Sequence, residues 1–158
     1  MNIKIIAVGK IKEKYNIQAI DEYRKRLSAY CSLSVVEIPA AKILSDNEKE
    51  VEKYKKEEAE KILANIKNDS FVITLEINAK QLSSESFAEK INEIEKSGVT
   101  ELVFIIGGAN GLDQSVISRS DYGLSFSKMT FTHQMVRIVL LEQIYRGFKI
   151  LKNEPYHR

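Results

Sequence analysis

The sequence predicts an α/β fold, a mostly parallel sheet covered by helices on both faces. Three observations carry that expectation. Residues 102–106, LVFII, form an apolar run without alternation that enters Gly107 and Gly108, with Gly111 close behind. Such a run reads as a strand buried on both faces, and the glycines let the backbone turn sharply at its carboxyl end. Second, β-branched runs alternate with stretches of helical period along most of the chain. Third, residues 132–151 form a long helix that is apolar nearly all round.

Taken in order, residues 2–8 form a first strand that exits at Gly9. Ile17, Ile20, Tyr23 and Leu27 recur at helical spacing, which predicts a helix over 15–30. Residues 33–38, LSVVEI, make a second strand stopped by Pro39. Ser45 or Asp46 is the expected cap of a Lys- and Glu-rich helix over 47–66, whose mixed signs read as a solvated face. A third strand spans 70–77, with Leu75 at its close. Ser83 or Ser84 caps a helix that stops at Gly98. The strand 101–106, a short helix over 114–119 and a fifth strand over 122–127 follow. Thr130 or Thr132 caps the last helix. No linker or repeat interrupts the 158 residues, a length that suits one domain, 1–158.

Composition narrows the function classes. Hydrophobic residues at 44% and charged residues at 29% are those of an ordinary globular chain. The start lacks a signal-peptide pattern and no apolar run approaches a membrane span, so no membrane partner is expected. Cys31 is the only cysteine, which excludes an internal disulfide and points to a reducing cytoplasm. One cysteine and two histidines make a poor metal set, so no metal is expected. Phosphate-loop, dinucleotide and hydrolase-elbow motifs are all absent.

Charge and periodicity then single out the end of the chain. Residues 128–158 carry six Lys or Arg against two Glu, a net +4, which leaves −2 for the first 127. A basic end beside a glycine-lined turn suits a phosphate-bearing partner such as nucleic acid. On the last helix, Glu142, Arg146 and Lys149 share one narrow polar strip, and Arg137 lies opposite among Leu141, Ile144 and Phe148. A charge on an apolar face needs a partner or a ligand, or else its stem snorkels to water. The surplus apolar surface of this helix predicts a subunit interface, hence a homodimer. The tail 153–158 reads on its own as a frayed terminus.

Five segments together resemble the RlmH family of SPOUT-class methyltransferases: AVGKIKEKY, ITLEINAKQLSSE, FIIGGANGL, LSFSKMTFTHQMVRIVLLEQIYR and the closing PYHR. The resemblance covers essentially the whole chain. It implies a C-terminal trefoil knot, an exception to unknotted topology. It implies S-adenosylmethionine as methyl donor, held by Leu75, by Gly107 with Gly108, and by Phe126, Ser127, Lys128, Met129, Thr130 and Phe131. It also implies a substrate, a pseudouridine in helix 69 of 23S ribosomal RNA, methylated at N3 in the assembled ribosome. Arg137 and the tail residues Tyr156, His157 and Arg158 become the expected catalytic groups, with an imidazole suited to proton traffic near neutrality. Two other readings remain open: a knotted enzyme with another RNA target such as a tRNA, and a non-catalytic nucleotide- or RNA-binding dimer.

Overall fold

The computed structural model describes residues 1–42 and 44–157. The elements run β1 (Asn2–Val8), α1 (Lys14–Leu27), β2 (Ser32–Ile38), α2 (Glu48–Ala64), β3 (Phe71–Gln81), α3 (Ser84–Lys96), β4 (Glu101–Ile106), α4 (Gln114–Arg119), β5 (Tyr122–Ser125) and α5 (His133–Leu151). The five strands form one sheet in the order β2-β1-β4-β3-β5, and every pairing is parallel. The expected α/β class with helices on both faces is therefore observed.

Alternation along the strands sorts the core into two halves. Ile3, Ile5, Leu102, Phe104 and Ile73 point to the side covered by α1, α3 and α5, where they meet Ile20, Ile91, Leu140 and Ile144. Ile6, Val8, Val103, Ile105 and Val72 point to the other side, covered by α2 and α4 through Ala59, Ile62 and Val116. All six residues of β4 are buried. No helix among the described residues is long and apolar enough to cross a membrane.

Local chemistry explains most boundaries. Ser83 accepts a hydrogen bond from the Ser86 N–H at 3.1 Å, and Thr132 accepts from the Met135 N–H at 3.2 Å, so both helices start at expected caps. The cap of α2 is a correction. Neither Ser45 nor Asp46 serves; Asn47 accepts from the Lys49 N–H at 3.1 Å, and Ser45 donates instead to Glu50 at 2.6 Å. A second correction concerns Leu75, which does not close its strand. Pairing with β4 ends at the Leu75–Ile106 pair, but β3 continues to Gln81, and its register with β5 shifts between Leu75 and Lys80. The irregularity lets the chain overrun the sheet edge, which no local composition signals. β5 also ends two residues early, at Ser125.

α5 lies along the sheet between α1 and α3. Sheet and two flanking helices cover it on three sides, which accounts for its apolar breadth within one chain. Met135 stays exposed and Val136, Ile138 and Val139 half-buried, so the expectation of a subunit interface concerns that remaining surface.

Ile91 sits at the centre of this arrangement, fully buried on α3 beside α5 at Gly147. Ile91→Ala should lower unfolding free energy by about 2–5 kcal/mol. Urea denaturation at constant slope checks it; a loss under 1 kcal/mol would show that α3 and α5 close up around the gap.

Candidate active site

In an open parallel sheet, ligands sit beyond the carboxyl ends of the strands, where neighbouring connections leave in opposite directions. Here that place lies between β1 and β4. β1 connects through α1 to β2 on one side, whereas β4 connects through α4, on the opposite face, to β5 on the other. The crevice is bounded by Val8 and Gly9 and by Gly107 and Gly108. A β-carbon on Gly107 would stand 3.0 Å from Leu112 Cδ2 and 3.1 Å from the Gly111 backbone; one on Gly108 would stand 3.2 Å from Val8 Cγ1. The Gly111 N–H donates to the Gly108 carbonyl at 3.1 Å, closing a tight turn. Only glycine fits at 107 without moving the turn.

The other expected cofactor residues lie along the same edge. Leu75 is the last β3 residue paired with β4, next to Ile106. Residues 126–131 run from the end of β5 to the start of α5. Ser125 Oγ donates to the Ile77 carbonyl at 2.8 Å and Ser127 Oγ accepts from the Met129 N–H at 3.0 Å, which shapes the loop. Phe126 and Ser127 are half-buried, while Lys128 and Thr130 are exposed. Met129 is 75% and Phe131 42% exposed, an unusual cost for large apolar side chains.

Arg137 does not snorkel. It is 2% exposed, its Nη2 donates to the Gly9 carbonyl at 3.1 Å, and its Nη1 lies 3.2 Å from Glu37 Oε2. The same Glu37 oxygen accepts from the Ile11 N–H at 3.1 Å. A charge on the apolar face of α5 is thus tied to the exits of β1 and β2. His133, at the start of α5, packs on Gly9, whose φ of +96° and lack of a side chain make room; a β-carbon there would meet His133 Cε1 at 2.8 Å. Burial, and then the Arg137 charge, hold the His133 imidazole below its ordinary pKa. His133 Nδ1 and Arg137 Nε are buried without a partner among the described residues.

Residues 153–157 fold back on α5, unlike the frayed terminus that the tail suggests on its own. Asn153 adopts φ 53° after α5, the Glu154 N–H donates to the Lys149 carbonyl, and the Asn153 N–H donates to the Ile150 carbonyl. This is a helix-ending turn in which asparagine replaces the usual glycine. It sends the chain back along α5. Tyr156 meets Tyr145 edge-on at 4.9 Å, donates to Glu142 at 3.1 Å and lies under the Arg146 guanidinium at 4.7 Å. Burial, with the Tyr23 hydroxyl and Glu142 beside it, pushes the Tyr156 phenol up. His157 Nε2 lies 2.8 Å from Glu85 and its Nδ1 3.3 Å from Arg146 Nη1. Arg158 lies outside the described residues.

The predicted residues therefore fall into two groups. Gly107, Gly108, Leu75, residues 126–131 and Arg137 share the carboxyl edge. Tyr156 and His157 rest on Glu142 and Arg146, five and nine residues beyond Arg137 on α5, or about 8 and 14 Å along the helix. Within one chain they do not meet. Sequence reasoning missed Glu37 and His133, which read as an ordinary strand and cap-adjacent residue. Cys31 is no reactive thiol: burial pushes it up to about 11. It lines a hollow of about 690 Å³ with Arg24, Tyr30 and Leu33 at the amino edge of the sheet, away from these loops. No cluster of metal-binding side chains occurs among the described residues.

A family model described as "Predicted SPOUT methyltransferase" matches residues 1–157. The chain belongs to the SPOUT methyltransferase family. Methyltransferase activity follows at that level, and SPOUT methyltransferases generally use S-adenosylmethionine. The chain is also similar in fold to a probable methylase family protein from Haemophilus influenzae Rd KW20. The two share 15% identity and a TM-score of 0.54, over 99% of this chain and 70% of the other.

His133 supplies a test of how this SPOUT chain holds α5 against β1. Its imidazole binds protons more weakly folded than unfolded, so its contribution to stability is complete above its ordinary value of 6.5 and is lost as pH falls below it. The thermal midpoint should fall between pH 7 and 5, and His133→Asn should flatten part of that slope. An identical slope in the variant would remove His133 from the account.

Proposed function

We propose that this SPOUT methyltransferase transfers the methyl of S-adenosylmethionine to N3 of a pseudouridine in helix 69 of 23S ribosomal RNA, on the assembled ribosome in the cytoplasm. The reading is supported chiefly by the resemblance of five segments, the closing PYHR included, to the RlmH family. A trefoil threading of the last third of the chain is part of the same reading.

The residues at the carboxyl edge fit the donor. The Gly107–Gly108 turn offers backbone groups without side chains in the way. Leu75, Phe126, Met129 and Phe131 offer apolar walls, and the peptide groups of Ser127, Lys128 and Thr130 can hydrogen-bond an adenine edge. When bound, S-adenosylmethionine supplies a methyl on a sulfonium, already a good leaving group. The protein's part is then mainly alignment. Arg137 fixes Gly9 and β2 relative to α5, and so sets the wall of the crevice. The proton on the base nitrogen needs an acceptor, for which His157 is proposed, with Tyr156 to stack on the base and Arg158 to contact phosphate.

In one chain Tyr156 and His157 rest on Glu142 and Arg146, about 8 and 14 Å along α5 from Arg137. The proposal therefore includes a homodimer in which one subunit's tail serves the other's cofactor loops. The exposed apolar side chains Tyr15, Met129, Phe131 and Met135 support it, since a subunit contact near the loops would bury them.

Methyl transfer from labelled donor to intact ribosomes, free 23S RNA and tRNA tests the substrate. Ribosomes should be labelled well above the other two. Preferential labelling of tRNA would replace this reading by the second one, and binding without transfer to any RNA would favour a non-catalytic module.

Sharing of sites is tested by mixing two inactive proteins, one lacking residues 156–158 and one carrying Gly107→Val. Each alone should lose at least tenfold in transfer. Mixed dimers should regain up to a quarter to half of wild-type activity, because one intact loop set meets one intact tail. No recovery in verified mixed dimers would place tail and loops in the same subunit.

A further inference from the structure

The glycine turn has a polar neighbour on α2. Glu58 is half-buried on the inward side of that helix, next to the buried Ala59. Its Oε1 accepts from the Ala41 N–H at 3.1 Å. Its Oε2 faces the turn: a β-carbon on Gly108 would come within 3.8 Å of it. Among the described residues, that second oxygen accepts no hydrogen bond and forms no ion pair. A carboxylate held by one oxygen thus presents the other at the crevice between β1 and β4. Burial pushes its carboxyl pKa up despite Ala41, Lys61 and Lys55, as expected of a charge short of partners.

We infer that Glu58 is a binding residue of the donor site, whose free oxygen takes the ammonium group at the amino-acid end of S-adenosylmethionine. This rests on the donor site described under the proposed function. Strand order sets the direction. The loop 126–131 follows β5, two strands from β4, or about 10 Å across the sheet. Glu58 and Val8 lie on the opposite side of β4. A nucleoside walled by Met129 and Phe131 turns its far end toward β1, and that end carries the ammonium. A partly desolvated carboxylate and an ammonium form a charge-assisted hydrogen bond, the stronger class of such contacts.

Calorimetry with two ligands separates this from a structural role. S-adenosylhomocysteine carries the amino-acid end; 5′-methylthioadenosine has the same nucleoside without it. In Glu58→Gln, the amide oxygen still accepts from Ala41, but the anionic acceptor is gone. The variant should bind S-adenosylhomocysteine about tenfold more weakly and methylthioadenosine as the wild type does. Glu58→Asp keeps the charge but withdraws the oxygen, and should show the same split. Unchanged affinity for S-adenosylhomocysteine, or equal loss for both ligands, would overturn the assignment. Wild-type protein that binds neither ligand would instead defeat the donor-site reading, and this inference with it.

Discussion

β4 is buried along its whole length at the middle of the sheet, with apolar side chains on both faces and strands on both edges. A strand so enclosed can meet a ligand only at its end. Its side chains are committed to two cores and its peptide groups to two ladders. The chain leaves β4 through Gly107 and Gly108, so the first backbone groups not claimed by the ladder emerge without side chains. Parallel pairing brings the ends of β1, β3 and β5 to the same edge. The position of the candidate site follows from the burial of this one strand.

A second constraint holds that edge together. Removing a guanidinium from water costs several kcal/mol, and pairing it offsets that cost only with good geometry. Arg137 meets the condition through a carbonyl and a carboxylate, each from a different strand exit. An aliphatic side chain at this position could pack as well, but it would not fix the angle between α5 and the β1 turn. The partner-free Nε of Arg137 and Nδ1 of His133 show that polar satisfaction is incomplete at this point. Such exceptions are rare in interiors and cluster where a chain does more than fold.

How much of this was legible in the sequence depends on the range of the interaction. The unalternating run 102–106, the glycines after it, and the caps Ser83 and Thr132 are local signals, and all were readable. The overrun of β3 past Leu75 was not, because a register shift depends on what β5 offers across the sheet. The turn that places the tail was hidden for a related reason. Asn153 in place of glycine hides the turn, and the surface that receives Tyr156 comes from Tyr145 and Glu142, a helix turn or more away. Arg137 stood out as a misplaced charge, but its partners lie on strands more than 90 residues earlier. Glu58 gave no signal, since a glutamate in a run of alternating charges looks like all the others.

The two ends of α5 behave differently, and the difference bears on the tail. At its start, Arg137 is buried and His133 half-buried against Gly9, so loss of those contacts would leave the Arg137 charge without its partners. At its end, the tail contacts are polar and partly solvated: His157 with Glu85, Tyr156 with Glu142, Arg146 over the tyrosine ring. Partly exposed pairs of this kind contribute little each and are screened by salt. They hold the tail in one place without binding it there strongly. Contacts of that strength are compatible with the proposed service of the tail to a neighbouring subunit. The loop end of α5 needs the opposite, because the crevice keeps its shape only while Gly9, Glu37 and the first turn of the helix stay in register.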